Sequence, residues 1–368
     1  MAPLFAELRR RAMPVAWVHT GQHREMSDSL YRLFDIVPDH TVTLSRTRSG
    51  LAHLNAELLD GLSMLYEAVR PQAVLVHGDT TSTLASAQAA FYNGVPIGHI
   101  EAGLRTGNAR EPFPEEKNRE LTARLARWHF APTPGAAANL VREGLEKRDI
   151  HLVGNTGIDA ALTARTKLDA LLGLGHRVLP ERIEALRLGG DHSRVILVTA
   201  HRRENWDGGI ARTAQAVVRL LIEHEDLTVV WPVHGNPAIS ETVHRVFRDM
   251  PTFLQTRLCL TSPLDYPTLL WCLGRSTLVM TDSGGIQEEG AALSVPVLVL
   301  RNTTERPELI AVGGGILLGT DEDRIVAAVS RLLGDGPALA RMRDAINPFG
   351  DGRTSARIAD ILQRDMGL

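Results

Sequence analysis

The chain is poor in cysteine: Cys259 and Cys272 are the only two in 368 residues. Their spacing fits no metal-ligand motif, and two thiols make no disulfide framework, as suits a reducing cytosolic compartment. No apolar run approaches the ~18 residues of a membrane-spanning helix. The opening MAPLFAELRRRAMP carries its charge after its apolar residues, the reverse of a signal peptide. Neither sign of charge prevails: 40 Lys and Arg against 43 Asp and Glu leave a formal net charge of -3. With no long basic run besides, nucleic acid is not an expected partner. There is no G-x-G-x-x-G and no His/Cys ligand spacing, so no nicotinamide, no tightly held metal and no other cofactor is expected. Internal repeats and low-complexity tracts are missing too.

What is present is a globular composition, 44% hydrophobic and 23% charged, in a chain too long for one ordinary core. Short apolar runs alternate with helical patterns. Strands are expected at Val15–Thr20, Ala73–Gly78, Val95–Ile100, around His129–Ala131 and at Ile150–Val153. The helices between them include Leu4–Arg11, one around Met26–Phe34, Leu51–Val69 and one from Thr80 to Tyr92. After a lapse around residues 165–190 the pattern restarts at Val195–Ala200 and recurs at Leu227–Val233, Leu278–Thr281, Val295–Leu300 and Ile316–Leu318. Continuous apolar strands each followed by a helix predict parallel sheets covered on both faces. The fold class is therefore α/β, with two doubly wound, Rossmann-like domains and a ligand cleft between them.

The stretch from His99 to Glu120, HIEAGLRTGNAREPFPEEKNRE, carries the acids Glu101, Glu111, Glu115 and Glu116. Glu101 sits at the exit of an apolar strand. Glu115 follows Pro-Phe-Pro, just before a helical pattern expected over Asn118–Phe130. Strand exits are where such sheets place ligands, so these acids can address one substrate from two sides, with Asp79 at a neighbouring strand exit as a third. In the second domain Asp282-Ser283-Gly284-Gly285 opens a helix whose backbone N–H groups suit a phosphate, and Glu289 suits ribose hydroxyls. His201, Arg202 and Arg203 at another strand exit suit a diphosphate. His234 and the loop Arg301–Glu308 stand at further exits, making four polar loops at four successive strand ends.

At these residues the sequence resembles the non-hydrolysing UDP-N-acetylglucosamine 2-epimerases. The matching strings are GQHREM, VHGDTTST, HIEAGLRTGN, PFPEEKNR, GNTGIDA, TAHRREN, PVHGNP, TDSGGIQEE and RNTTERPE, in the family's order along nearly the whole chain. The resemblance implies a glycosyltransferase-B-like architecture. Residues 1–165 form the first domain, joined by the returning C-terminal helix 350–368, and residues 166–349 form the UDP-binding domain. It implies a reversible inversion at C2 of UDP-N-acetylglucosamine to give UDP-N-acetylmannosamine, through anti elimination of UDP to 2-acetamidoglucal and re-addition. Asp79, Glu101 and Glu115 carry over as acid/base carboxylates, and His201 as the group steadying the leaving diphosphate. Arg202, Ser283, Gly284, Gly285, Glu289 and Arg306 form the UDP-binding set. Gln22, Glu120, Arg202 and His234 fall on motifs associated with a second, activating UDP-sugar. A cytoplasmic homodimer serving cell-envelope polysaccharide synthesis is expected. Family members carry a strand and a G-T-R-P-E-A-I-K loop ahead of the point where this chain opens, so the natural protein is expected to begin earlier, supplying an arginine, a lysine and a central strand. The alternatives are a UDP-sugar glycosyltransferase of the same fold, a hydrolysing epimerase that releases free N-acetylmannosamine, and a non-catalytic UDP-sugar binder.

Overall fold

The structure is a computed structural model that describes residues 1–21, 24–45, 49–110, 112–176, 179–186, 194–248 and 250–367. It divides into two units: residues 1–160 with 349–368, and residues 161–348. The division falls inside the helix Thr156–Gly173.

Unit 1 contains β1 (Val18–His19), β2 (His40–Thr41), β3 (Val74–His77), β4 (Ile97–Ile100), β5 (Trp128–Ala131) and β6 (Ile150–Leu152). β3, β4, β5 and β6 form one parallel sheet in that order, and β1 pairs in parallel with β2. Among the described residues no ladder joins β1 to β3. Between them lies an apolar cavity of about 740 Å³, bordered by Val15–Val18 on one side and Ala73–Leu75 on the other. The expected strand Val15–Thr20 pairs only over Val18–His19.

Two helices close one face of this unit. Leu4 and Leu8 of the helix Ala2–Arg10 pack with Ile358, Ala359 and Leu362 of the helix Thr354–Met366. Each buried Leu or Ile of this set contributes about 1.5–3 kcal/mol. The second helix has no cap from its own side chains. Instead the buried Asp159 accepts the backbone N–H groups of Thr354 (3.2 Å) and Ser355 (2.7 Å). Gly154, with φ +93°, lets the chain pass here, since a Cβ would meet Thr354 Oγ1 at 2.7 Å.

Unit 2 contains β7 (Arg194–Thr199), β8 (Leu227–Pro232), β9 (Leu258–Thr261), β10 (Leu278–Thr281), β11 (Val297–Val299) and β12 (Gly315–Leu317). All run parallel in the order β12-β11-β10-β7-β8-β9. This is the doubly wound order, reversing direction between β7 and β10. Ile196, Val198, Val229, Trp231 and Met280 have no exposed surface and make the centre of its core. β2 and β9 were not anticipated from sequence; two and four residues give too little periodicity to separate strand from loop.

Candidate active site

In unit 2 the strand ends carrying the polar loops, β11, β10, β7 and β8, lie side by side although β9 falls among them in sequence. The expectation of four successive strand ends is therefore corrected: adjacency is a property of the sheet, because β9 is placed outside β8. His201 and Arg202 leave β7, while Asp282 and Ser283 leave β10, so the two sides of the switch point are both polar. Asp282 has no exposed surface, and its Oδ1 lies 3.2 Å from Nδ1 of His201. Burial opposes its charge, but hydrogen bonds from the His201 ring, the Arg202 backbone and the Asn205 amide outweigh that and hold its carboxyl below the usual range. The imidazole of His234, at the end of β8, stacks on His201 with ring centres 5.7 Å apart and planes 14° from parallel.

Ser283 occupies the N-cap of the helix Gly284–Ala292 but makes no capping hydrogen bond. Its own N–H donates to Thr281 Oγ1 at 3.0 Å. The first turn thus presents backbone N–H groups and the positive end of the helix dipole without a capping bond from Ser283. Space beside Gly285 is open, and the Arg306 guanidinium lies about 3.5 Å from where a Cβ of Gly284 would be. The β11 loop is tied in place. Arg306 Nε donates to Glu288 Oε1 (2.6 Å), Thr304 to Gln287 Oε1 (2.8 Å), and the buried Arg301 binds both Glu204 (2.6 Å) and Glu305 (2.8 Å). Glu289, between one and two turns into the helix, shares a hydrogen bond with the Tyr266 hydroxyl. Burial pushes its pKa up to about 7, against the lowering effect of that bond.

In unit 1 the acids gather at the ends of β3 and β4. Glu101 adopts a left-handed backbone, φ +63°, unusual for a residue with a side chain. Its Oε1 accepts from Asn155 Nδ2 at 3.2 Å. Its Oε2 lies 3.2 Å from where a Cβ of Gly78 would be, so the carboxylate rests against the Gly78–Asp79 turn. That turn is pinned from below by His99, which is fully buried and bonds the Gly78 carbonyl through Nε2 at 2.8 Å. A carbonyl only accepts, so Nε2 carries the hydrogen; burial pushes the pKa of His99 down to about 4, leaving the ring neutral. Asp79 forms an ion pair with Arg119 (3.0 Å), and its carbonyl accepts from Asn118 (2.8 Å). Both partners lie on the helix Glu115–Leu125, which begins at Glu115. Among the described residues the buried Glu115 Oε2 has no hydrogen-bond partner.

Known proteins resemble this chain in sequence and fold. A family model described as UDP-N-acetylglucosamine 2-epimerase matches residues 6–363. A protein of that name from Yersinia pestis is 43% identical over 344 residues, 94% of this chain and 89% of its own length. One from Salmonella typhimurium is 42% identical over 364 residues, covering 99% and 94%. Among solved structures, the UDP-GlcNAc 2-epimerase from Neisseria meningitidis, bound to UDP-GlcNAc, superposes with a TM-score of 0.89 at 36% identity, covering 99% of this chain and 96% of that one.

The chain belongs to the UDP-N-acetylglucosamine 2-epimerase family. The resemblance read from the motif strings, to the non-hydrolysing members of this isomerase family, therefore holds. Within the family frame, Asp79, Glu101 and Glu115 are linked through one turn and one helix. His201, Arg202, Ser283, Gly284, Gly285, Glu289 and Arg306 all lie at or near one edge of the unit 2 sheet. Of the second UDP-sugar set, His234 touches His201, Glu120 pairs with Lys117 on its own helix, and Gln22 lies outside the described residues, as does Glu111.

The helix expected over Asn118–Phe130 runs instead from Glu115 to Leu125, and β5 takes Trp128–Ala131. The two acids of its first turn favour the earlier start through the helix dipole. Glu116, grouped by sequence with the acids facing substrate, is instead fully buried. Its Oε1 accepts the N–H groups of Thr106 (3.0 Å) and Gly107 (2.9 Å), which fixes the loop after Glu101. Sequence reasoning also passed over Arg119, Asn155, His99, Tyr266 and Asp282. All but Tyr266 stood inside quoted motif strings, and for Asp282 and Arg119 the signal was there: a charged residue hard against an apolar strand or among buried helix positions needs a partner.

Proposed function

We propose that this enzyme interconverts UDP-N-acetylglucosamine and UDP-N-acetylmannosamine by eliminating and re-adding UDP. The observation that carries the reading is the pairing of Glu101 and Asp79 on adjacent strand exits, with Glu115 opening the helix that grips Asp79. The C2 hydrogen of the sugar is not next to a carbonyl, so its removal needs a leaving group at C1. One carboxylate takes the C2 proton as the C1–O bond breaks anti to it. The electron pair of the C–H bond becomes the C1=C2 bond of 2-acetamidoglucal, and UDP departs with the bonding pair of the C1–O bond. A carboxylate on the opposite face then returns a proton to C2 while the diphosphate oxygen re-attacks C1. His201, the first turn of Gly284–Ala292 and Arg306 offset the charge of the departing UDP, and preorganised donors at developing charge are the larger share of such catalysis. Proton relays at both faces call for more than one carboxylate, which the three acids provide. A glycosyltransferase of this fold has no need of all three.

The reading is tested by incubation with UDP-N-acetylglucosamine in deuterated water and proton NMR. Deuterium at C2 together with a UDP-N-acetylmannosamine signal is expected. Epimerisation without exchange at C2 defeats elimination and re-addition, and free N-acetylmannosamine marks a hydrolysing enzyme instead.

Glu289 adds a pH dependence. Its carboxyl, raised to about 7, is the acceptor proposed for the ribose hydroxyls, and its ionised form accepts more strongly. Binding therefore favours loss of the proton, so affinity rises with pH through that value. Tyr266, which donates to it, and Glu288, neutralised by Arg306, are the neighbouring groups. The KM for UDP-N-acetylglucosamine is expected to fall by about threefold to tenfold from pH 6 to pH 8. Glu289→Gln should flatten that slope. A KM that rises with pH in the wild type contradicts the assignment.

A further inference from the structure

Asp282 follows β10 where that strand lies against β7, with Thr281 opposite Thr199. Its own N–H continues the ladder to the Thr199 carbonyl at 3.1 Å. Both oxygens of its side chain face the loop that leaves β7. Oδ2 accepts the backbone N–H groups of His201 and Arg202 and the side-chain amide of Asn205, each at 2.9 Å. Oδ1 faces Nδ1 of the His201 ring at 3.2 Å. One carboxylate with no exposed surface thus meets both the backbone and the imidazole of a single residue.

The two contacts have different consequences. Three N–H donors on Oδ2 shape the loop and need only an acceptor. The contact at Oδ1 acts on the ring at ion-pair distance rather than as an aligned hydrogen bond: an ionised carboxylate has no hydrogen to give, so attraction at this edge calls for one on Nδ1. With Nδ1 held at its edge and His234 stacked on its face, the ring keeps only Nε2 for a ligand.

We propose that Asp282 is the positioning residue of His201: it holds the ring by Nδ1 so that Nε2, and no other atom, donates its hydrogen to the departing diphosphate, the ring then carrying a hydrogen on both nitrogens. This rests on the reading of His201 as the group that steadies that diphosphate. Asp282 itself touches no substrate, and it acts on the rate only through the imidazole.

Asp282→Asn separates the ring contact from the loop contacts. The amide oxygen in the place of Oδ2 still accepts three N–H groups, while the amide nitrogen turns a donor toward Nδ1 and expels the ring from its position. A kcat reduced by about a hundredfold is expected, with KM within about threefold of wild type, the scale of one misplaced acid/base or charge-stabilising group. In a His201→Gln background the same substitution should cost less than about threefold, since the group it acts through is gone. An equal cost in both backgrounds overturns the proposal and makes Asp282 a purely structural residue; so does a loss confined to KM. Ring-nitrogen NMR of histidine-labelled wild-type enzyme gives a reading that needs no variant. A hydrogen on Nδ1 of His201 is expected, and a bare Nδ1 overturns the assignment. Wild-type enzyme that fails to epimerise UDP-N-acetylglucosamine defeats the reading of function. An active wild type with additive variants defeats this inference alone.

Discussion

Glu101→Gln and Glu115→Gln are each expected to lower epimerase turnover by about a hundred- to ten-thousand-fold, the usual worth of one general acid or base, while leaving UDP binding nearly intact. Gln matches Glu in shape. At position 101 its amide oxygen still accepts from Asn155, and the left-handed backbone turn that aims the side chain is unchanged. At position 115 the buried oxygen without a partner is the one that the substitution disarms, so little of the fold depends on it. The groups assigned to UDP all belong to unit 2, away from either substitution in the chain. Turnover measured with UDP-N-acetylglucosamine, alongside UDP titration calorimetry, checks both halves. Near-normal turnover in both variants removes these carboxylates from the chemistry; loss of UDP binding makes them part of the nucleotide site.

Arg119→Met should be the most damaging single change in unit 1. The guanidinium is 5% exposed and stands between Asp79, 30% exposed, and Glu116, 1% exposed. Removing it leaves the Glu116 charge buried with only its two backbone donors, and taking one partner from a buried pair costs about 3–5 kcal/mol. For a unit of this size that corresponds to a fall in melting temperature of about 10 °C. Most of the cost lies with Glu116, because water screens Asp79. Turnover should fall as well, since Asp79 loses the contact that orients it. Arg119→Lys, which keeps the charge but reaches only one acid well, should recover part of both. Thermal melting followed by far-ultraviolet circular dichroism measures the first effect. A shift under about 2 °C would show that this pair does not hold the Asp79 turn.

Much of the frame was legible in the residues. A continuous apolar run such as Val195–Ala200 has no polar face to offer solvent, so it belongs in a sheet covered on both sides, and the helix after it follows. The long helix Leu51–Val69 appears with the limits its periodicity predicts. Glu101, Asp79, His201 and Ser283 were recognisable as strand-exit residues, because a polar side chain directly after a buried strand has few places to go but the ligand edge. Short elements fared worse. β2 and β9 owe their existence to neighbours already in place, which supply the ladder partners that two or four residues cannot specify.

The sequence by itself determined the α/β class, the parallel sheets, the family and the placing of Asp79 and Glu101 at strand exits, since each depends on local pattern or on motif strings read in order. Only the tertiary structure decided what each acid meets. Glu115 and Glu116 are neighbours in one helical turn, and each has one buried oxygen without a hydrogen-bond partner among the described residues, yet Glu116 alone closes a loop, through the backbone N–H groups of Thr106 and Gly107. Their directions differ by about 100° around the helix axis, and what each meets there is supplied by distant chain. In the same way Asp282 became the partner of His201 because β10 lies beside β7, a strand order that no local stretch of sequence records.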